Sequence, residues 1–140
     1  MLADDDSDDC LLFEDALKEL AHNIKLTTTN DGMELMDYLD ETVPPPPDVI
    51  FLDINLPVMT GWQFLTKLKS QEQYKDIPVI MYSTSNNQRD RDTAKDLGAL
   101  CFITKPSAFK KLQNTLDVIV SYSNKQLYNE LCNAVYRLKN

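Results

Sequence analysis

Positive charge is scarce in this sequence. Lys and Arg number 14 against 22 acidic residues, a formal net charge of −8, and no basic run exceeds the pair Lys110 and Lys111. Direct binding to nucleic acid, which needs a basic face, is therefore disfavoured. Cysteine is also scarce: Cys10, Cys101 and Cys132 are far apart, odd in number, and two of them lie in apolar stretches. Such cysteines behave as small hydrophobes and suit a reducing cytoplasm rather than a disulfide framework. No apolar run approaches the ~20 residues of a membrane span. Acids also stand where a secretory signal would carry basic residues and an apolar core. A soluble, cytoplasmic protein without membrane insertion is expected. G-x-x-x-x-G-K-[ST] is absent, which excludes a Walker-type nucleotide enzyme. There is no internal repeat, and no low-complexity tract beyond Pro44 to Pro47. The 140 residues leave room for one domain of ordinary size.

The most informative stretch runs from Asp48 to Gly61, DVIFLDINLPVMTG. Val49 to Leu52 is an unbroken apolar run, as expected of a strand buried on both faces of a parallel sheet. Asp53 ends the run and so falls at the carboxyl edge of the sheet, where open α/β folds place ligands. Asn55, Pro57 and Gly61 then hold the chain out of regular structure until a helix begins near Trp62. Taken alone, Asp53 could equally be a turn residue.

Around this stretch, strands and helices alternate. A short apolar stub precedes Asp4 and Asp5. A helix follows on Leu11, Leu12, Ala16, Leu17 and Leu20, with Ser7 as N-cap and Asp8 and Asp9 in the first turn, where the helix dipole favours negative charge. Asp4, Asp6 and Asp8 match the first ligand positions of an EF-hand, but Asp9 stands where Gly is required and Asp15 where the bidentate Glu belongs. Ile24 to Thr29 reads as a second strand. Asp31-Gly32 leads into a helix on Met33, Leu35, Met36 and Leu39, and four prolines form a stiff connector. A third helix carries Trp62, Phe64, Leu65 and Leu68. Val79 to Tyr82 is a fourth strand ending in Ser83, Thr84 and Ser85. Asn86 and Asn87 cap a fourth helix that stops at Gly98. Leu100 to Ile103 is a fifth strand ending in Thr104, Lys105 and Pro106, and the last helix carries Phe109, Leu112, Leu116 and Ile119. Five strands alternating with five helices predict a doubly wound parallel sheet covered on both faces.

In such a sheet Asp4, Asp5, Asp53, Ser83, Thr84 and Lys105 share one edge. Three carboxylates there form a site for a hard divalent cation, and Mg²⁺ completed by water fits better than a caged Ca²⁺. A hydroxyl and an ammonium nearby supply what phosphoryl transfer needs, namely positioning and neutralised oxygen charge. An aspartate nucleophile would become an acyl phosphate. Individually, Ser83 could be a helix-entry residue and Lys105 a solvated strand end; jointly they point to chemistry.

The combination resembles a response-regulator receiver domain of the CheY-like, stand-alone kind. The resemblance rests on Asp4-Asp5, Asp53 in LDINLP, Gly61, Ser83 in MYSTS and Lys105-Pro106, and it covers residues 1 to about 120. It implies the flavodoxin-like strand order 2-1-3-4-5. It further implies Asp53 as phospho-acceptor, with Mg²⁺ held by Asp5, Asp53 and the Asn55 backbone carbonyl, Asp4 in support, and Lys105 on a phosphoryl oxygen. Ser83 and Phe102 would be the switch pair, sampling an outward state without phosphate and an inward one with it. The phosphoryl donor would be a histidine kinase or phosphotransfer protein, since His22 near the end of the first helix is not a donor. The wording around NDGMELMDYL and LDINLPVMTG is similar to small single-domain regulators, some of which pair with phytochrome kinases.

Only three residues precede the acidic pair where the family's first strand usually has several more, so either the start has been trimmed or this strand is unusually short. Residues 1–122 are expected to form the receiver domain and 123–140 a helical extension of it. The stripe Leu127, Leu131, Ala134, Val135 and Leu138 would fold back, lengthen the last helix, or support a homodimer or partner contact. Output is expected through a downstream protein target, at a surface that includes Asp90, Arg91, Lys95, Phe102, Ser107, Lys110 and Lys111. Two rivals stay open. A haloacid-dehalogenase-type phosphatase would need a second Asp where Asn55 stands, and a phosphate-independent scaffold would not need the complete acceptor set. A flavodoxin is disfavoured because Asp4 to Asp9 would repel an FMN phosphate.

Overall fold

Leu2–Ala3, Thr28–Thr29, Ile50–Leu52, Val79–Ser83 and Cys101–Thr104 form strands β1 to β5 in the computed structural model, which describes residues 1–122 and residue 130. Helices α1 to α5 are Ser7–Lys18, Gly32–Thr42, Gly61–Ser70, Gln88–Asp96 and Phe109–Ser121. All strand pairs are parallel and the order is β2-β1-β3-β4-β5, so the expected flavodoxin-like α/β class is the one found. The expected extension at 123–140, with its stripe from Leu127 to Leu138, lies outside the described residues apart from Glu130.

Two compact units are formed, Met1–Cys10 with Leu26–Lys105, and Leu11–Lys25 with the described residues from Pro106 onward. The first contains the whole sheet. β3 and β4 are buried at every position, as unbroken apolar runs require. Ile50, Leu52, Val79 and Met81 pack with Leu35, Met36 and Leu39 of α2 and with Phe64, Leu65 and Leu68 of α3. Each such side chain contributes about 1.5–3 kcal/mol by leaving water. In the second unit Phe13, Ala16, Leu17, Leu112, Leu116 and Ile119 are buried. There the His22 imidazole meets Asp117 at 3.1 Å, and the Gln113 amide donates to Glu19.

The differences from expectation are local and have physical causes. β2 is only Thr28–Thr29, because residues 24–27 form no strand ladder, although the Thr27 carbonyl still accepts from Leu2 N–H at 2.9 Å. The cap of α1 is Asp6 and not Ser7: Asp6 Oδ1 accepts from Asp8 and Asp9 N–H at 2.9 and 3.1 Å. Phe13 takes the buried position on α1, while Leu11 and Leu12 are 57% and 48% exposed. α1 ends at Lys18, so His22 lies beyond it. α3 begins at Gly61, one residue early, because Thr60 and Gln63 close a capping box. Met33 of α2 faces solvent. Elsewhere the caps are those expected, with Asn87 Oδ1 accepting from Asp90 N–H and Gly98 leaving α4 at φ 92°.

Candidate functional site

Asp53 leaves β3 with its N–H donating to the Ala3 carbonyl at 3.0 Å, which ties the acceptor position to the β1 end that carries Asp4 and Asp5. The loop behind it is drawn tight. Gly61 N–H donates to the Ile54 carbonyl at 2.8 Å, and a Cβ on Gly61 would lie 2.1 Å from the Asp53 carbonyl oxygen. Only glycine permits that approach. Ile54 and Leu56 turn inward and are buried, while Asn55 is exposed between them.

Asp4 is fully buried, Asp53 is 6% exposed and Asp5 is exposed. One carboxylate oxygen from each lies within 4.8 Å of the others. Lys105 leaves β5 with its N–H on the Ser83 carbonyl at 2.7 Å. Its ammonium donates to Asp4 and Asp9 at 2.7 Å each and to Asp53 at 3.1 Å. The same ammonium lies 5.5 Å from the Tyr82 ring centroid.

Burial alone would lower the Lys105 pKa, but the bonds to Asp4 and Asp9 and the charge of Asp53 outweigh it and hold the ammonium charged above its usual range. Burial pushes the Asp4 carboxyl up, against the opposing pull of Lys105. Burial, with Asp4 next, pushes the nearby Cys10 thiol up to about 11. Three carboxylates, Asp4, Asp9 and Asp53, thus pair with the one Lys105 ammonium, and Asp5 lies beside two of them, so the surplus is negative. An all-oxygen, anionic donor set of this kind fits a hard divalent cation.

The edge therefore brings together Asp4, Asp5, Asp53 and Lys105, with Ser83, 1% exposed, at the end of β4. Phe102 is buried on β5 with the Arg91 guanidinium 5.0 Å from its ring centroid. Two residues escaped the sequence reading. Asp9 was accounted for by the helix dipole, yet it binds Lys105. Arg91 was counted among surface charges, yet it donates to the Phe102 carbonyl at 3.3 Å and to Thr104 Oγ1 at 2.8 Å. Asp90 is likewise engaged, accepting from Ser85 Oγ and Asn87 Nδ2. A strand-end count registers neither Asp9 nor Arg91, because both act from the first turns of helices.

A family model described as response regulator receiver domain matches residues 1–117. The chain belongs to that family. Among curated proteins this receiver domain is similar to response regulator Rcp1 of Synechocystis sp., with 30% identity over 126 residues, covering 87% of this chain and 86% of the relative. Among solved structures it is similar to the Mn²⁺-bound form of Rcp1, with TM-score 0.75 and 30% identity over 86% of this chain and 90% of that one. It is also similar to the phosphorylated cyanobacterial phytochrome response regulator RcpA, with TM-score 0.79 and 33% identity over 89% and 92% of the two chains. The receiver domain is thus a two-component response regulator, a signalling module, and the dehalogenase and scaffold readings find no support. Among the described residues no helix is long and apolar enough to cross a membrane.

Proposed function

We propose that Asp53 of this response regulator accepts a phosphoryl group from a phosphohistidine on a partner kinase or phosphotransfer protein. The observation that carries the reading is the Lys105 ammonium 3.1 Å from the Asp53 carboxylate at an edge shared with Asp4 and Asp5. An Asp53 oxygen forms the new P–O bond as the P–N bond to the donor imidazole breaks, and the imidazole keeps the electron pair. Lys105 neutralises phosphoryl oxygen charge and Ser83 donates its hydroxyl hydrogen to another of those oxygens. A divalent ion, Mg²⁺ in the cell, would be held by Asp5, Asp53 and the Asn55 carbonyl with Asp4 in support, and would supply further charge neutralisation. Water later cleaves the acyl phosphate and regenerates the carboxylate, so the only turnover is self-phosphorylation and self-dephosphorylation.

Residues 1–122 form the acting domain in this reading, and the output is contact with a downstream protein and not with DNA, because net charge opposes phosphate binding. Intact mass after treatment with acetyl phosphate and Mg²⁺ tests the assignment. One phosphate should appear on the wild type and none on Asp53→Asn or in excess chelator; labelling of the Asn variant would place the acceptor elsewhere.

A further inference from the structure

Beyond the acceptor pocket, Ser83 and Phe102 are linked through side chains of the first turns of α4. Ser83 Oγ accepts the Ser85 N–H at 3.3 Å. Ser85 is held from two sides: its hydroxyl donates to Asp90 at 2.5 Å, and its carbonyl accepts from Thr104 Oγ1 at 2.9 Å. Thr104 Oγ1 in turn accepts from Arg91 Nη2 at 2.8 Å. Arg91 closes the circuit by donating Nη1 to the Phe102 carbonyl at 3.3 Å while its guanidinium lies 5.0 Å from the Phe102 ring centroid.

We propose that Arg91 is a positioning residue that latches Phe102 in its buried place and, through Thr104 and Ser85, couples that place to the hydroxyl of Ser83. The proposal rests on the reading of Ser83 and Phe102 as a switch. A guanidinium suits the task because its planar donors can hold a carbonyl and a hydroxyl while its face lies on a ring, which an ammonium cannot reproduce. Ser83 remains competent, since a hydroxyl that accepts one hydrogen bond still has its own hydrogen to donate. The latch biases the protein toward the conformation that phosphorylation favours, and a pre-populated acceptor state lowers the demand on the donor.

The test uses the full chain labelled with 4-fluorophenylalanine, with the Phe102 fluorine resonance assigned by its loss in Phe102→Leu. In wild type that resonance should be mainly that of a buried ring and should move further in the buried direction on adding acetyl phosphate and Mg²⁺. In Arg91→Ala the inward-to-outward ratio should fall about tenfold, moving the resonance toward exposed phenylalanine, and acetyl phosphate with Mg²⁺ should move it back. Acquisition of phosphate by mass should slow roughly two- to fivefold. Arg91→Lys should fall between the two. Thr104→Val should uncouple Ser83→Ala from the ring resonance in a double-mutant cycle, a readout that general loss of stability does not reproduce. A wild-type ring resonance in Arg91→Ala, or full additivity in the cycle, would overturn the proposal. Should Arg91→Ala fail to fold, Arg91→Lys and Thr104→Val decide the matter. Absence of mass gain on wild type would count against the acceptor reading alone, because the ring resonance before phosphodonor reports the latch independently.

Discussion

The Lys105 ammonium lies as close to Asp9 as to Asp4, 2.7 Å in each case, and closer to either than to Asp53 at 3.1 Å. Asp9 therefore competes for the same cation that the acceptor chemistry needs. Asp9→Asn should free Lys105 toward the phosphoryl oxygens and speed labelling by acetyl phosphate about two- to fivefold. Stability should fall only modestly, since the buried Lys105 ammonium that loses this charge keeps Asp4 and Asp53 as partners. Time-resolved intact mass gives the rate; slower labelling would make Asp9 a helper and not a competitor.

Lys105→Met should behave differently. It leaves the buried Asp4 and Asp53 carboxylates facing one another without their cation, a loss of about 3–5 kcal/mol when a buried pair is broken. A divalent ion can replace that charge, so Mg²⁺ should raise the urea midpoint of Lys105→Met by more than that of wild type. Equal shifts in the two proteins would show that the ion is held elsewhere, and EDTA should abolish the shift in both.

Cys10 offers a pH-dependent readout of the same pocket. Its Sγ donates to the Asp4 carbonyl at 3.5 Å, and its pKa is raised to about 11 by burial and then by Asp4. Because the thiolate is the reactive form, a raised pKa means slow alkylation near neutrality. The rate should climb about tenfold per pH unit and level off near 11. Asp4→Asn removes one charge that disfavours the thiolate, so its profile should move to lower pH. Iodoacetamide labelling followed by peptide mass spectrometry measures both; an unmoved profile would remove Asp4 as a cause.

The loop beneath Asp53 should respond in opposite senses at two positions. Gly61→Ala places a methyl against the Asp53 carbonyl and should cost about 1–3 kcal/mol while displacing the acceptor and suppressing labelling. Val58, 80% exposed, sits at φ 66°, a conformation unfavourable for a β-branched side chain. Val58→Asn, a residue that tolerates this region, should gain about 1 kcal/mol. Thermal unfolding of the two variants checks both signs.

The sequence made the fold legible wherever burial was complete. β3 and β4 read as unbroken apolar runs because every residue of each is buried. β2 was placed but drawn too long: Ile24 to Thr29 reads as a strand, whereas only Thr28–Thr29 pairs with β1, and where that pairing starts is a tertiary fact. α1 misled for a related reason: Leu11, Leu12 and Phe13 all suit a helix, and only packing chooses Phe13. At the site, Asp4, Asp5, Asp53, Ser83 and Lys105 could be gathered from topology alone, because every parallel strand ends at the same edge. Asp9 and Arg91 reach across from helices, and their partners are set by side-chain length and direction that no spacing rule carries. Phe102 was placed by family resemblance; the guanidinium that covers it was not.

Lys105 is separated along the chain by 101 residues from Asp4, by 96 from Asp9 and by 52 from Asp53. Contacts of such span close the largest loops, and their entropic cost is met only after the shorter-range pairings are in place. The acidic pocket exists only where the ends of β1, β3 and β5 share one edge, so a chain emerging from the ribosome has no complete acceptor site until those strands are paired. Competence to receive a signal is in this way conditional on a finished fold, and a partly folded chain stays silent.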